Sequence, residues 1–193
     1  MSAVKKMCIC ALCIALCYVL PQAFHILPLG KNVGTLLSPM HLPVLLCGLV
    51  CGWPYGLICG LLGPVLSHLL SSMPPAPVLI SMVPELGVYG LAAGLGMKLI
   101  RTGRTLPDLY LALLPALLLG RVAGGVAQAL LYLSRTESYT MALWAGSYVV
   151  GTLPAVVLQL VLLPALVWGL MRAGLIPARY PAKETLAGSA EQA

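Results

Sequence analysis

Residues 38–75 read SPMHLPVLLCGLVCGWPYGLICGLLGPVLSHLLSSMPP, and this stretch contains no Asp, Glu, Lys or Arg. It consists of two apolar runs joined by GWPYG (52–56), where glycine and proline predict a tight turn. Two histidines, His41 and His68, lie near the two ends of the stretch. The segment therefore predicts a hairpin of two short membrane-embedded helices with an imidazole near each end.

The composition of the whole chain gives the same protein class. Of the 193 residues, 60% are hydrophobic and 8% are charged, whereas soluble domains carry about 25% charged residues. This excludes a soluble globular domain. The net charge is +6, but the basic residues stand at the ends of apolar runs and form no aromatic-interleaved patch. We therefore expect a lipid bilayer, and no nucleic acid, as the partner of this surface.

Six apolar stretches predict an all-α integral membrane protein with six transmembrane helices. They cover approximately residues 7–27, 36–53, 55–73, 77–100, 107–133 and 141–172. The first begins like a signal peptide but has no A-x-A-like cleavage site, so we interpret it as a retained span. The predicted organisation is a six-helix membrane domain at 1–175 followed by a polar cytoplasmic tail at 176–193.

The distribution of basic residues predicts that both termini are cytoplasmic. With six spans, eight basic residues fall on the side of the termini: Lys5, Lys6, Lys98, Arg101, Arg104, Arg172, Arg179 and Lys183. The other side has only Lys31 and Arg135.

Two charged residues lie well inside apolar stretches, away from their ends: Glu85 in the fourth and Arg121 in the fifth. Ionisable groups in a membrane are costly, so they normally face the bundle interior and are paired. One interpretation is an ion pair between Glu85 and Arg121 that locks two helices together. The other is that one or both contact a polar solute, and the planar guanidinium of Arg121 suits a carboxylate or phosphate.

These residues are candidates for a substrate site because of their positions in the spans and their polar side chains. The helical rise places His41 and His68 at similar depths in the membrane. One hypothesis is that they lie at the rim of an outward pocket whose base holds Glu85 and Arg121. Each histidine equally suits a hydrogen bond to a neighbouring helix, and Trp144 and Tyr148 equally suit an interfacial aromatic belt. The candidate substrate-binding residues are His41, His68, Glu85, Tyr89, Arg121, Gln128, Trp144 and Tyr148.

Motifs for enzymatic chemistry are absent from the sequence. It contains no HExxH, GxSxG or P-loop, and Glu85 is the only acidic residue well inside an apolar span, away from its ends. The seven cysteines fall in the first three stretches, where Cys behaves as a small apolar residue. We expect no catalytic residue, no metal site and no cofactor. If the chain takes part in active transport, a partner or an ion gradient has to supply the energy.

Several segments resemble, in order, those of substrate-binding S-components of energy-coupling factor (ECF) vitamin transporters. The first stretch carries ALCIA, an AxxxA pattern at Ala11 and Ala15. Residues 40–75, followed by MVPELGVYGLAAGL (82–95), are similar to a common bacterial branch. GRVAGGVAQALL (120–131) and AGSYVVGTLPAVVLQLVLLPALV (145–167) resemble the fifth and sixth helices of that branch.

The resemblance implies a function and a set of partners. The chain would be the substrate-capturing membrane subunit of an ECF-type ABC importer in the bacterial plasma membrane. It would bind a vitamin or related metabolite from outside, with pantothenate as the first candidate, under a lid at HILPLGKNVGTLLSP (25–39). Ala11 and Ala15 would dock onto a transmembrane coupling subunit, and two ATPase subunits would supply the energy.

Other interpretations of the residues remain open. A membrane-embedded enzyme would use His41 and His68, with or without a metal. A non-transporting scaffold would use Glu85 and Arg121 only as a structural pair. A self-sufficient carrier would need no ATPase, but the two halves of the chain show no convincing similarity to each other.

Overall fold

The computed structural model describes residues 1–26, 39–134, 153–177 and 180. Within these ranges the chain is all-helical, with six α-helices. They are α1 (Ala3–Ile26), α2 (His41–Cys51), α3 (Trp53–Ser71), α4 (Ala76–Leu99), α5 (Thr105–Ser134) and α6 (Leu153–Arg172). Trp144, Tyr148 and most of the predicted lid at 25–39 lie outside the described residues.

Five of the helices are long and apolar enough to cross a membrane, namely α1, α3, α4, α5 and α6. This confirms a multi-pass membrane protein. Helix α2 has 11 residues, which corresponds to about 16 Å at 1.5 Å per residue. A hydrocarbon core is about 30 Å thick, so the helical part of the predicted second span is too short to cross it alone.

This short helix lies at the centre of the bundle. Helix α2 contacts each of the other five helices. Eight of its residues are buried: His41, Pro43, Val44, Leu45, Cys47, Gly48, Leu49 and Cys51. A helix that is apolar on all sides belongs in a protein interior, and α2 is accordingly the core around which the longer helices pack.

Three glycines bring the backbones of α2, α3 and α4 into direct contact. A Cβ atom added to Gly90 of α4 would overlap the carbonyl group of Gly56 in α3. A Cβ on Gly48 of α2 would overlap the carbonyl oxygen of Gly90, and a Cβ on Gly56 would come within 2.7 Å of the Gly48 Cα atom. We call Gly48, Gly56 and Gly90 the glycine junction. Small residues at such contacts let apolar helices pack by van der Waals forces without polar groups.

The predicted turn between the second and third helices is confirmed, and it is shorter than GWPYG. Helix α2 ends at Cys51 and α3 begins at Trp53, so Gly52 alone separates them. Its φ of 96° lies in a region that glycine adopts without steric cost. Pro54 occupies the first turn of α3, where its missing N–H is not needed.

Six of the seven cysteines are buried where α1 packs on α2 and α3, and all seven are free thiols. The thiols of Cys10, Cys17 and Cys51 donate weak hydrogen bonds to backbone carbonyl oxygens of neighbouring segments. Cys10 Sγ lies 3.5 Å from the Tyr55 oxygen, and Cys51 Sγ lies 3.7 Å from the Lys6 oxygen. The cysteines therefore act as small core residues that hold α1 close to the hairpin.

One end of the bundle carries the described basic residues near helix termini: Lys5, Lys6, Lys98, Arg101, Arg104 and Arg172. We call it the basic end. A cavity of about 210 Å³ at this end is lined by Met1, Leu49, Met97 and Val167, among others. The amino end of α1 and the carboxyl ends of α2, α4 and α6 therefore meet here. The arrangement agrees with the predicted charge asymmetry, and the cytoplasmic location of this end stays a prediction.

A buried carboxylate organises the polar connections at the basic end. Asp108, in the first turn of α5, accepts hydrogen bonds from the backbone N–H of Thr102 at 2.8 Å and its hydroxyl at 2.6 Å. The hydroxyl of Tyr180 donates to the other carboxylate oxygen at 2.7 Å. Ile176 is buried in the core. The beginning of the predicted tail therefore packs against the bundle.

We expect Gly90→Ala to destabilise the protein, because the new methyl group has to push α3 away from α4. Overpacking of this kind costs about 1–3 kcal/mol, and thermal unfolding in detergent should show a Tm lower by several degrees. Gly169→Ala is the matched control, since a Cβ there meets nothing within 4 Å and Ala favours a helix over Gly. Equal Tm values for the two variants would contradict the glycine junction.

Candidate functional site

A polar contact inside the bundle joins the first residue of α2 to the middle of α4. His41 Nε2 lies 3.6 Å from Glu85 Oε1, and the two side chains are 9% and 10% exposed. The contact is an ion pair when the imidazole is protonated and a polar contact when it is neutral. Both groups are ionisable and lie among apolar helices, which makes them candidates for function.

Tyr89 completes this group from the next turn of α4, as its spacing from Glu85 predicts. Its ring is fully buried and meets the His41 ring edge-on, with centroids 5.2 Å apart and an interplanar angle of 71°. Helix α5 closes over the other side, because a Cβ on Gly120 would lie 2.7 Å from the Tyr89 ring. The His41–Glu85–Tyr89 group thus sits between α2, α4 and α5.

The second nitrogen of the imidazole differs from the first, because no described residue contacts it through a hydrogen bond. His41 Nδ1 is buried and has no hydrogen-bond partner in the described part of the chain. The same holds for Ser67 Oγ on α3. Buried polar atoms normally have partners, and in a binding protein the solute is one source of them.

An ion pair between Glu85 and Arg121 stays a prediction. The contact that the structure shows for Glu85 is with His41. Arg121 follows Gly120 on α5, which places it next to the Tyr89 contact, and its side chain is half-buried. Gln128 is also half-buried, two turns along the same helix.

His68 has a local partner at the end of the hairpin. Its Nδ1 lies 2.7 Å from the carbonyl oxygen of Pro74, in the connection between α3 and α4. Because a carbonyl oxygen only accepts, Nδ1 carries the proton and Nε2 is left as the acceptor of a neutral ring. The contact ties the hairpin to its connection. It does not bring His68 into the His41–Glu85–Tyr89 group.

The structure therefore assembles part of the candidate site. It brings together His41, Glu85 and Tyr89. Arg121 stands one residue after Gly120, which packs against Tyr89, and His68 has a separate contact. Trp144 and Tyr148 lie outside the described residues. The sequence analysis missed Gln159, which is buried in α6. The sequence did contain a sign of this residue, because Gln159 is the single carboxamide within the apolar run LPAVVLQLVLLPALV.

The chemistry of this group suits binding. A carboxylate, an imidazole and a phenol ring recognise polar solutes by hydrogen bonds and charge. Across the described ranges, no three or more His, Cys, Asp or Glu side chains are grouped so as to hold a metal ion.

Comparison with known proteins identifies the family. The family model for the substrate-specific component of ECF transporters matches residues 5–176, which is most of the chain. No curated protein and no solved structure shows a significant match. The chain thus belongs to the substrate-specific components of ECF transporters, and it is a substrate-binding membrane subunit of a transporter and not an enzyme.

Proposed function

We propose that this protein captures a vitamin or a related small metabolite from outside a bacterial cell. It then delivers the molecule through an energy-coupling module made of a transmembrane coupling subunit and two ATPase subunits. Pantothenate is the first candidate substrate. The basic end would face the cytoplasm, so the solute would reach the His41–Glu85–Tyr89 group from the opposite end.

The observation that carries this proposal is the polar group buried among otherwise apolar helices. Glu85 and His41 are each about nine-tenths buried, and His41 Nδ1 has no partner among the described residues. Burying such polar groups costs free energy, and the surrounding apolar side chains form no hydrogen bonds that would offset this cost. A polar solute that bonds to them would recover part of that cost on binding.

The preference for pantothenate rests on Arg121 and on the resemblance to one branch of the family. Pantothenate has a carboxylate, and a guanidinium can bind a carboxylate with two parallel hydrogen bonds. Arg121 lies beside Gly120, which packs against Tyr89, so its helix borders the polar group. A folate, a flavin, a B6 vitamer and a deazapurine are the alternative solutes.

We expect His41→Ala and Glu85→Gln each to weaken solute binding at least tenfold, which corresponds to about 1.4 kcal/mol. The measurement is isothermal titration of purified protein with pantothenate, together with Tm in the absence of solute. His68→Ala is the comparison variant, because its Nδ1 is already bonded to Pro74. A loss of affinity at His68 as large as at His41 would assign both imidazoles to the solute.

A purely structural role for the His41–Glu85 contact predicts a different result. Each single variant would then lower the Tm without changing the affinity. The double variant would be less destabilised than the sum of the two single variants. That combination would contradict the proposed solute contact.

Arg121→Gln tests whether the arginine binds a carboxylate. We expect it to reduce affinity for pantothenate at least tenfold, and to change affinity for panthenol, the corresponding alcohol, by less than threefold. The difference arises because panthenol has no carboxylate for the guanidinium to bind. Equal losses for the two compounds would contradict a carboxylate contact and leave Arg121 a structural role.

A surface for the coupling subunit is available on α1. The buried cysteines of this helix face α2 and α3, whereas Ala11 and Ala15 are exposed. Cys8, one turn before Ala11, is the one exposed cysteine of the chain. The exposed alanines support docking, because the described residues leave them uncovered and small residues allow close approach of another apolar helix.

We expect Ala11→Leu and Ala15→Leu to prevent assembly with the coupling subunit while leaving solute affinity within twofold. Ala165→Leu is the matched control, since Ala165 is exposed on α6. Assembly is measured by co-purification. A second readout is protection of Cys8 from a thiol reagent in the assembled transporter. Normal assembly of both α1 variants would contradict docking through this face.

A further inference from the structure

Helix α6 contains a polar side chain that the proposed site does not yet use. Gln159 is 1% exposed and stands in the buried stripe Ala155, Gln159, Leu163 and Val167. Neither Nε2 nor Oε1 has a hydrogen-bond partner in the described part of the chain. A carboxamide offers two donor hydrogens and an acceptor oxygen, and among the described residues none of them is satisfied.

The depth of Gln159 follows from the cavity at the basic end. Leu49 of α2, Met97 of α4 and Val167 of α6 line the same cavity. The residues eight positions earlier in these three helices are His41, Tyr89 and Gln159, respectively. Eight residues correspond to about 12 Å of helix. Since all three helices run toward the basic end, these three residues lie at about the same depth.

Two observed contacts support this alignment. The rings of His41 and Tyr89 meet at 5.2 Å, as equal depth in α2 and α4 requires. Helix α6 packs against α2 and α5, and its buried stripe therefore faces those helices. The carboxamide of Gln159 thus lies at the level of the His41–Glu85–Tyr89 group, on a helix that contacts the one carrying His41.

We infer that Gln159 is a solute-binding residue and that it recognises an amide-type group, in which a carbonyl oxygen and an N–H lie close together. A carboxamide is complementary to such a pair, since it donates to the carbonyl and accepts from the N–H. Amides, lactams and ureido groups share this chemistry, and pantothenate contains a secondary amide. The inference rests on the proposed function and assigns the solute a feature distinct from the carboxylate expected at Arg121.

The test uses Gln159→Met, which keeps the length of the side chain and removes its polar atoms. Two quantities are measured on the purified full-length protein: the Tm without solute, and the affinity for pantothenate by isothermal titration. Mass spectrometry of small molecules released on denaturation covers solutes other than pantothenate. Gln22→Met is the matched control, because Gln22 is only half-buried and stands on α1, which carries none of the His41–Glu85–Tyr89 group.

The expected result is a pair of opposite effects. Gln159→Met should leave the Tm of the solute-free protein equal or higher, because it removes unsatisfied buried polar atoms. It should weaken pantothenate binding, or retention of the released metabolite, at least tenfold, while Gln22→Met changes neither by more than twofold.

Three results would overturn the inference. A Tm lower by several degrees in Gln159→Met would mean that the carboxamide is satisfied within the protein. Unchanged solute binding in this variant, with normal binding by the wild type, would remove Gln159 from the site and leave the proposed function intact. A wild-type protein that binds no pantothenate and releases no metabolite would overturn the proposed function and this inference together.

Discussion

The close contact of three helix backbones at the glycine junction is the constraint on which the rest of the structure depends. Between apolar helices in a bilayer the hydrophobic effect offers little driving force, so association relies on close van der Waals packing. Gly48, Gly56 and Gly90 provide this packing by leaving no side chain between α2, α3 and α4. Because α2 is only 11 residues long, it can remain in the interior and contact every other helix. The longer helices are thereby arranged around a core that is itself a helix.

The polar site is a consequence of this packing. Gly90 directly follows Tyr89, so the residue that brings α4 against α3 also fixes where the tyrosine ring lies. His41 begins α2 two turns before Gly48, which fixes the distance from the junction to the imidazole. Glu85 then meets His41 because α2 and α4 run in the same direction and are held in register. An ionisable pair in an apolar bundle requires such rigid support, since any loosening would leave a charged group facing hydrocarbon.

Much of the fold was predictable from the sequence, and the site was predictable in part. The lengths of the apolar runs and the charge asymmetry predicted a membrane protein and the positions of most helices. Both signals reflect the free energy of transfer from water into the bilayer, which is a property of each residue. The centrality of α2 was not predictable in this way, although the spacing of Gly48, Gly52 and Gly56 at every fourth residue was a visible sign of close packing. Glu85 was correctly recognised as unusual, but its partner depends on helix register. Hydropathy alone therefore could not predict whether His41 or Arg121 contacts Glu85.

Helix α2 lies between the proposed solute-binding group and α1, the proposed docking helix. Its basic-end half carries Cys47 and Cys51, which pack with α1, the helix that exposes Ala11 and Ala15. Its opposite end begins with His41, which contacts Glu85 and Tyr89. A solute that forms a hydrogen bond with His41, as proposed, would therefore contact the same helix that packs against α1, the proposed docking helix. The contacts between α1 and the α2 segment include weak hydrogen bonds from Cys17 Sγ to the Met40 carbonyl oxygen and from Cys51 Sγ to the Lys6 carbonyl oxygen. In the proposed function, the packed side chains of this one short helix would connect the solute to α1.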